Sequence, residues 1–307
     1  MRSKNTIWDY IFLTRPILLI PLWTLLLLGY YRAGGERFLI NSDFLSLFLV
    51  YTLLISAVYI LNQIMDIKSD AINKKHLLLA EGLISVKSAY IEFTILLVAA
   101  LALMLRLSLH YVIFLLISFL FGIIYSIPPI KFKDRPILDF VINAIGYGFL
   151  NFSLGWLTEK PFSAKTVLYS LPYVFAVGAI FINTTILDIE GDKKAGSNTT
   201  GVFLSQARAL KLSTVFIILC VIITVVVKDW ICFIPSIIAL PIFVFAAVKK
   251  DIKYIFLSIG IGGPLLVLIT GVFFPYFLAL FLGVFIFLRL YYRTKFGINY
   301  PSLSLSG

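Results

Sequence analysis

Ten apolar stretches separated by short polar segments run along the chain, at roughly residues 11–31, 43–65, 86–105, 109–127, 136–157, 167–187, 209–227, 230–248, 253–272 and 274–292. A helix rises about 1.5 Å per residue, so about 20 mostly apolar residues cross a hydrocarbon core about 30 Å thick. Each stretch approaches that length. The pattern predicts an all-α, polytopic membrane bundle of nine or ten transmembrane helices around a central cavity, built as one domain over residues 1–307. The first stretch runs past 20 residues and lacks an Ala-x-Ala type cleavage site, so it reads as a retained helix and not a signal peptide.

Composition agrees with the pattern. Hydrophobic residues make up 61% of the chain and charged residues only 13%, where a soluble domain carries about 25% charged residues. Disorder, a secreted disulfide scaffold and a cytosolic enzyme are excluded. The net charge of +11 would suit nucleic acid in a soluble chain; here the question is where the charges fall. With ten crossings and a cytoplasmic N-terminus, twenty Lys and Arg residues collect on the inner side, Arg2, Lys4, Lys74 and Lys75 among them. Six remain outside: Arg32, Arg37, Arg106, Lys160, Lys165 and Lys228. That asymmetry predicts the orientation and a bilayer partner, with no nucleic acid. Cys220 and Cys232 read as small buried hydrophobes. His76 and His110 are separated and form no zinc pattern. The Ser- and Gly-containing tail after Lys295 is expected to fray.

The scarce acids carry the chemistry. In "NQIMDIKSD", Asn62, Asp66 and Asp70 stand at i, i+4 and i+8, so they form one polar stripe at a helix end. In "LDIEGD", Asp188 and Asp192 repeat the spacing. "DIKSD" and "DIEGD" look like copies in an internal repeat of helical hairpins, each followed by a basic loop and by a Ser, Ser85 or Ser205, placed to cap the next helix. Both clusters fall at the same inner depth, facing one central cavity. Like charges four residues apart repel, and carboxylates at a helix C-terminus oppose the dipole. A divalent cation relieves both costs, and an all-oxygen set suits Mg²⁺. Two such clusters would clamp a diphosphate through a pair of Mg²⁺ ions. The plainer reading is a set of solvated acids marking helix ends. Between the clusters, "YSIPPIKFKDRP" offers Tyr125, Lys131, Lys133 and Arg135, and Lys193 follows the second motif; these cations either hold phosphate oxygens or anchor the inner face.

These residues resemble the UbiA-type intramembrane prenyltransferases. Asn62, Asp66 and Asp70 match the first motif of that family, Asp188 and Asp192 its second, and "YSIPP" with its basic residues lies between them as expected. The first run is similar to the homogentisate-type form, although Lys75, His76 and Leu77 stand where many members carry Arg-Pro. The resemblance implies transfer of a prenyl group from an allylic diphosphate to a lipophilic acceptor, an aromatic or quinone precursor or an isoprenyl glycerol phosphate. It also implies Mg²⁺ held by Asp66, Asp70, Asp188 and Asp192 with Asn62. Tyr59 and Tyr125, beside the motifs, are the candidates to face a carbocation. Family members have nine crossings, so one of the last two stretches is expected to be short or re-entrant. Two rivals are a cation-coupled transporter using the same carboxylates and a CDP-alcohol phosphotransferase, for which the D-G-x-x-A-R run is missing.

Overall fold

A computed structural model describes residues 6–38, 40–72, 77–298 and 300. Arg2, Lys4, Lys74, Lys75 and His76 lie outside the described residues, as do Asn299 and residues 301–307 of the tail.

The described residues are helical almost throughout. Helix α1 (Ile7–Leu13) meets α2 (Pro16–Arg32) at a 49° bend. Arg15 sits at the bend with a left-handed φ of 55°, and Pro16 opens α2, where its missing N–H costs nothing. Next come α3 (Ser42–Ile72), α4 (Val86–Met104) and α5 (Leu109–Ser126). A 3-10 turn at Phe132–Asp134 leads into α6 (Leu138–Asn143), a π-helical segment (Ala144–Asn151) and α7 (Phe152–Leu157). Then follow α8 (Ala164–Leu187), the short α9 (Ile189–Ala195), α10 (Thr200–Val226), α11 (Trp230–Lys249), α12 (Ile252–Phe273) and α13 (Pro275–Phe296).

Among the described residues, nine helices are by themselves long and apolar enough to span a bilayer, and the bent α1–α2 pair would make ten. The interruption therefore falls in the first stretch. The last two stretches are full 22-residue helices, against the expectation of a re-entrant piece there. Helix α3 has 31 residues and is about 46 Å long, so one end projects beyond a hydrocarbon core of about 30 Å. Burial sorts the spans: 61% of the α3 and α6–α7 windows is buried, against 11% for α4 and 17% for α13. The central walls are thus α2, α3, α6–α7 and α8, and the peripheral helices give apolar faces to lipid. The two motif helices each pack extensively on a following helix, α3 on α4 and α8 on α10.

Local details bear out the Ser85 cap and the buried cysteines and correct two other expectations. Ser85 does cap α4, accepting from the Ser88 N–H at 3.0 Å. Ser205 caps no helix start: α10 begins at Thr200, and Ser205 lies inside it at a non-helical kink (φ 63°). Part of the tail packs where fraying was expected, since the Tyr300 ring lies tilted against that of Tyr292, 4.4 Å between centroids. Cys220 and Cys232 are buried and unbridged, with their sulfurs 3.9 Å apart.

Candidate active site

One cavity of about 420 Å³ opens among the central helices. Its lining follows the helical repeat. On α3, Tyr51, Ile55, Tyr59, Asn62, Asp66 and Asp70 line it, spaced three or four apart on one face, with Val58 and Ser69 beside them. Across from them, Phe181, Thr184, Asp188 and Asp192 keep the same spacing on α8 and α9. The chain is not one helix there: α8 ends at Leu187, and Asp188 is the junction residue before α9. The Asp192 N–H still donates to the Asp188 carbonyl at 2.8 Å, which preserves the helical relation between the two acids. All five motif residues line the same cavity, at one end of it.

The first pair is held in a nearly dry setting, with Asp66 8% and Asp70 7% exposed. Asn62 donates through Nδ2 to Ser126 Oγ on α5 at 3.1 Å. In the second pair, Asp192 Oδ2 accepts from Thr199 Oγ1 at 2.9 Å. That loop is tied down by Asp139, buried at the start of α6, whose Oδ2 accepts from the Thr200 N–H at 2.6 Å and whose other oxygen accepts from the Thr200 hydroxyl.

The basic residues divide. Lys133 lines the cavity and forms an ion pair with Asp66. Burial pushes its ammonium down to about 8, while Asp134 and Asp192 pull it back up and Arg15 adds a smaller push downward. Lys131, Arg135 and Lys193 do not line the cavity. Lys131 pairs with Asp134 at 2.5 Å, Arg135 donates to the Pro129 carbonyl at 3.0 Å, and Lys193 is exposed in the last turn of α9. The cause is local: a left-handed Lys131 (φ 40°) and the 3-10 turn after it aim Lys133 inward and turn its neighbours away. Arg15, which the sequence offered only as an orienting charge, reaches the cavity from the α1–α2 bend.

Aromatic groups flank the middle of the cavity. Tyr125 and Tyr59 both line it. The Tyr59 hydroxyl is hydrogen-bonded to that of Tyr147 and lies 3.2 Å from the Leu18 carbonyl, so it links α3, the π segment and α2. Tyr147 and Asn151 face the cavity from the π segment, a register that a single apolar run does not reveal.

The donors at the mouth are two carboxylate pairs and an amide, all oxygen, and the cation standing against Asp66 is the Lys133 ammonium. Among the described residues, no three Asp, Glu, His or Cys side chains close into a metal cage. Mg²⁺ does not need one, because it takes one or two carboxylates and fills its octahedron with water and phosphate. The residues present fit that ion.

Comparison with known proteins agrees with this arrangement. The profile of the UbiA prenyltransferase family matches residues 18–251. The chain is 32% identical over 178 residues to a 2-acyl-4-prenylphloroglucinol 6-prenyltransferase of Humulus lupulus, covering 52% of this chain and 41% of that protein. It is 32% identical over 143 residues to a probable homogentisate phytyltransferase 2 of Oryza sativa subsp. japonica, covering 44% of this chain and 38% of that one. The chain thus spans less than half the length of these relatives. Among solved structures, a UbiA homolog from Archaeoglobus fulgidus has a TM-score of 0.68 at 21% identity, covering 88% of this chain and 98% of that one. A UbiA homolog from the same organism bound to GPP and Mg²⁺ gives 0.64 at 22% identity, with 86% and 99% covered. These likenesses speak for the fold, and the profile match over most of the chain speaks for descent. With the two acidic motifs facing each other across one intramembrane cavity, they establish that the chain belongs to the UbiA prenyltransferase family.

Proposed function

We propose that this chain transfers a prenyl group from an allylic prenyl diphosphate to a lipophilic aromatic acceptor. The observation that carries the reading is the polarity of this cavity: carboxylates and cations at one end, and apolar and aromatic walls beyond them. Names of relatives that specify phloroglucinol, homogentisate and coumarin acceptors support an aromatic ring as the nucleophile.

Asp66, Asp70, Asp188 and Asp192, with Asn62, are the residues to hold Mg²⁺. When bound, the ion neutralises charge gathering on the diphosphate. Two ions, one per carboxylate pair, match the donor count. Lys133 and Arg15 hold diphosphate oxygens by charge-assisted hydrogen bonds. As the allylic C–O bond breaks, the electron pair leaves with the diphosphate and an allylic cation remains. Tyr59, Tyr125 and Tyr147 offer ring faces to that cation, while Ile55, Val58 and Phe181 keep water away. The acceptor ring carbon forms the new C–C bond, and the ring proton goes to the released diphosphate.

The distribution of Lys and Arg supports a cytoplasmic N-terminus and a cytoplasmic mouth for the cavity. A cation-coupled transporter would place acids deep in the translocation path. Glu92 is the acid well inside a span, and it lies off the cavity.

The test is incubation of the protein in liposomes with Mg²⁺, a panel of allylic diphosphates and aromatic acceptors, read by mass spectrometry, beside ion flux in sealed vesicles. Prenylated acceptor with stoichiometric diphosphate is the expected result. Flux without any prenylated product would overturn the reading.

A further inference from the structure

We infer that Asp9 and Gln63, neither of which lines the cavity, are positioning residues that clasp the α1–α2 bend from two sides and hold Arg15 in the site. The inference rests on the reading of Arg15 as a diphosphate ligand and adds what keeps it in place.

Arg15 enters the cavity from a strained position. Its backbone is left-handed (φ 55°, ψ 61°), a conformation that is unfavourable for a residue with a Cβ and persists only where the surroundings enforce it. Its guanidinium also shares the cavity with the Lys133 ammonium, and like charges push each other apart. The bend itself supplies little, because α1 has seven residues, too few for a helix that is stable alone. What grips α1 therefore decides where Arg15 stands.

One grip is Asp9, which is fully buried. Its Oδ1 accepts from the Tyr291 hydroxyl at 2.5 Å, and its Oδ2 accepts from Lys295 Nζ at 3.0 Å and from the Thr6 N–H at 2.8 Å. The Phe12 ring stacks on that of Tyr291, 3.8 Å between centroids. Residues 286 positions apart are thus joined, and α1 is fixed to the end of α13. The second grip is at the bend. Helix α1 stops at Leu13, which leaves that carbonyl without a partner inside the helix. Gln63 Nε2 donates to it at 2.7 Å. Gln63 follows Asn62 and lies about 100° further round α3, so it meets the bend while Asn62 faces the cavity. On the α2 side, the Tyr59 hydroxyl stands 3.2 Å from the Leu18 carbonyl. Arg15 lies between the two anchored carbonyls, and the helix that carries the first acidic motif anchors both.

The experiment measures donor KM and kcat in liposomes with Mg²⁺, an allylic diphosphate and one aromatic acceptor. It compares the wild type, Arg15→Ala, Asp9→Ala and Gln63→Leu, and each of the last two combined with Arg15→Ala. Asp9→Ala and Gln63→Leu should each raise the donor KM by roughly threefold or more, with kcat within about twofold. In the Arg15→Ala background the same two changes should move KM by under about 1.5-fold, because the side chain they position is gone. Tyr291→Phe removes one hydroxyl from the Asp9 cluster and keeps the ring; it should raise KM by about twofold, and with Gln63→Leu it decides the matter if Asp9→Ala does not fold. A wild-type KM in both Gln63→Leu and Tyr291→Phe would overturn the clasp, as would an equal rise with and without Arg15. In both cases turnover persists and the transferase reading survives. An unchanged donor KM in Arg15→Ala would overturn the ligand role of Arg15 and the clasp with it. Absence of wild-type product from every donor overturns the transferase reading and this inference together.

Discussion

Replacing Gly155 with Ala tests the close crossing of α2 and α7. The added methyl would stand 1.8 Å from the Leu26 carbonyl oxygen and 2.9 Å from the Tyr30 nitrogen, both backbone atoms that no rotamer change can clear. Reaching even 3.0 Å requires α2 and α7 to separate by at least about 1.2 Å, taken from the difference between the two distances. A gap of 0.5–1 Å already forfeits about a quarter to a half of each dispersion contact. In a bilayer, where close packing and not water exclusion holds helices together, that loss falls on the main source of association. Overpacking of this kind costs about 1–3 kcal/mol. At about 2–4 °C per kcal/mol, thermal unfolding in detergent should drop by roughly 2–12 °C. Gly29→Ala attacks the same crossing from the other side, at 1.9 Å from the Phe152 carbonyl oxygen. Once one methyl has moved the helices apart, the second meets less resistance, so the double variant should lose less than the sum of the singles. An unfolding temperature within a degree of wild type for Gly155→Ala, or strict additivity in the double variant, would refute the close crossing.

Asp66→Ala and Asp188→Ala should each lower Mg²⁺-dependent diphosphate release at least about a hundredfold, the scale for removing one preorganised electrostatic group, while both variants still elute as folded protein; near-normal turnover would remove the carboxylates from the chemistry. Lys133→Ala and Arg15→Ala should raise the donor KM by roughly tenfold or more, given about 1.5–3 kcal/mol for a hydrogen bond to a charged group. Lys131→Ala and Lys193→Ala, outside the cavity, should stay within about twofold, and steady-state kinetics on the four variants checks the division. Tyr59→Phe keeps the ring and should retain most of kcat, whereas Tyr59→Leu should lose roughly 2- to 30-fold, from about 0.5–2 kcal/mol of cation–π attraction; equal rates for the two would argue against a role for the ring.

How much of this could be read beforehand depended on whether the geometry is local. Asn62, Asp66 and Asp70 sit on one uninterrupted helix, so spacing alone put them on one face, and the structure keeps them there. Asp188 and Asp192 were legible for the same reason, although the helix breaks at Asp188; a backbone hydrogen bond across the break keeps the turn. The inner loop was not legible in this way. Lys131, Lys133 and Arg135 are alternate cations in one short segment, and a left-handed residue followed by a single 3-10 turn decides which of them enters the cavity. Arg15 was invisible as a site residue because its approach depends on a 49° bend between two helices that the hydropathy pattern joins into one.

The deep half of the cavity was still less accessible, because its features combine residues far apart in sequence with a change of helical register. Tyr51 and Asn151 are 100 residues apart and meet only because α3 and the π segment send them into the same cavity. An apolar run looks the same whether its hydrogen bonds span four residues or five. The wider turn changes which side chains point inward, and it brings Tyr147 and Asn151 to the lining together with Gly146. Spacing along a single helix therefore reported where the acidic motifs meet. The lining beyond them depends on the π register instead.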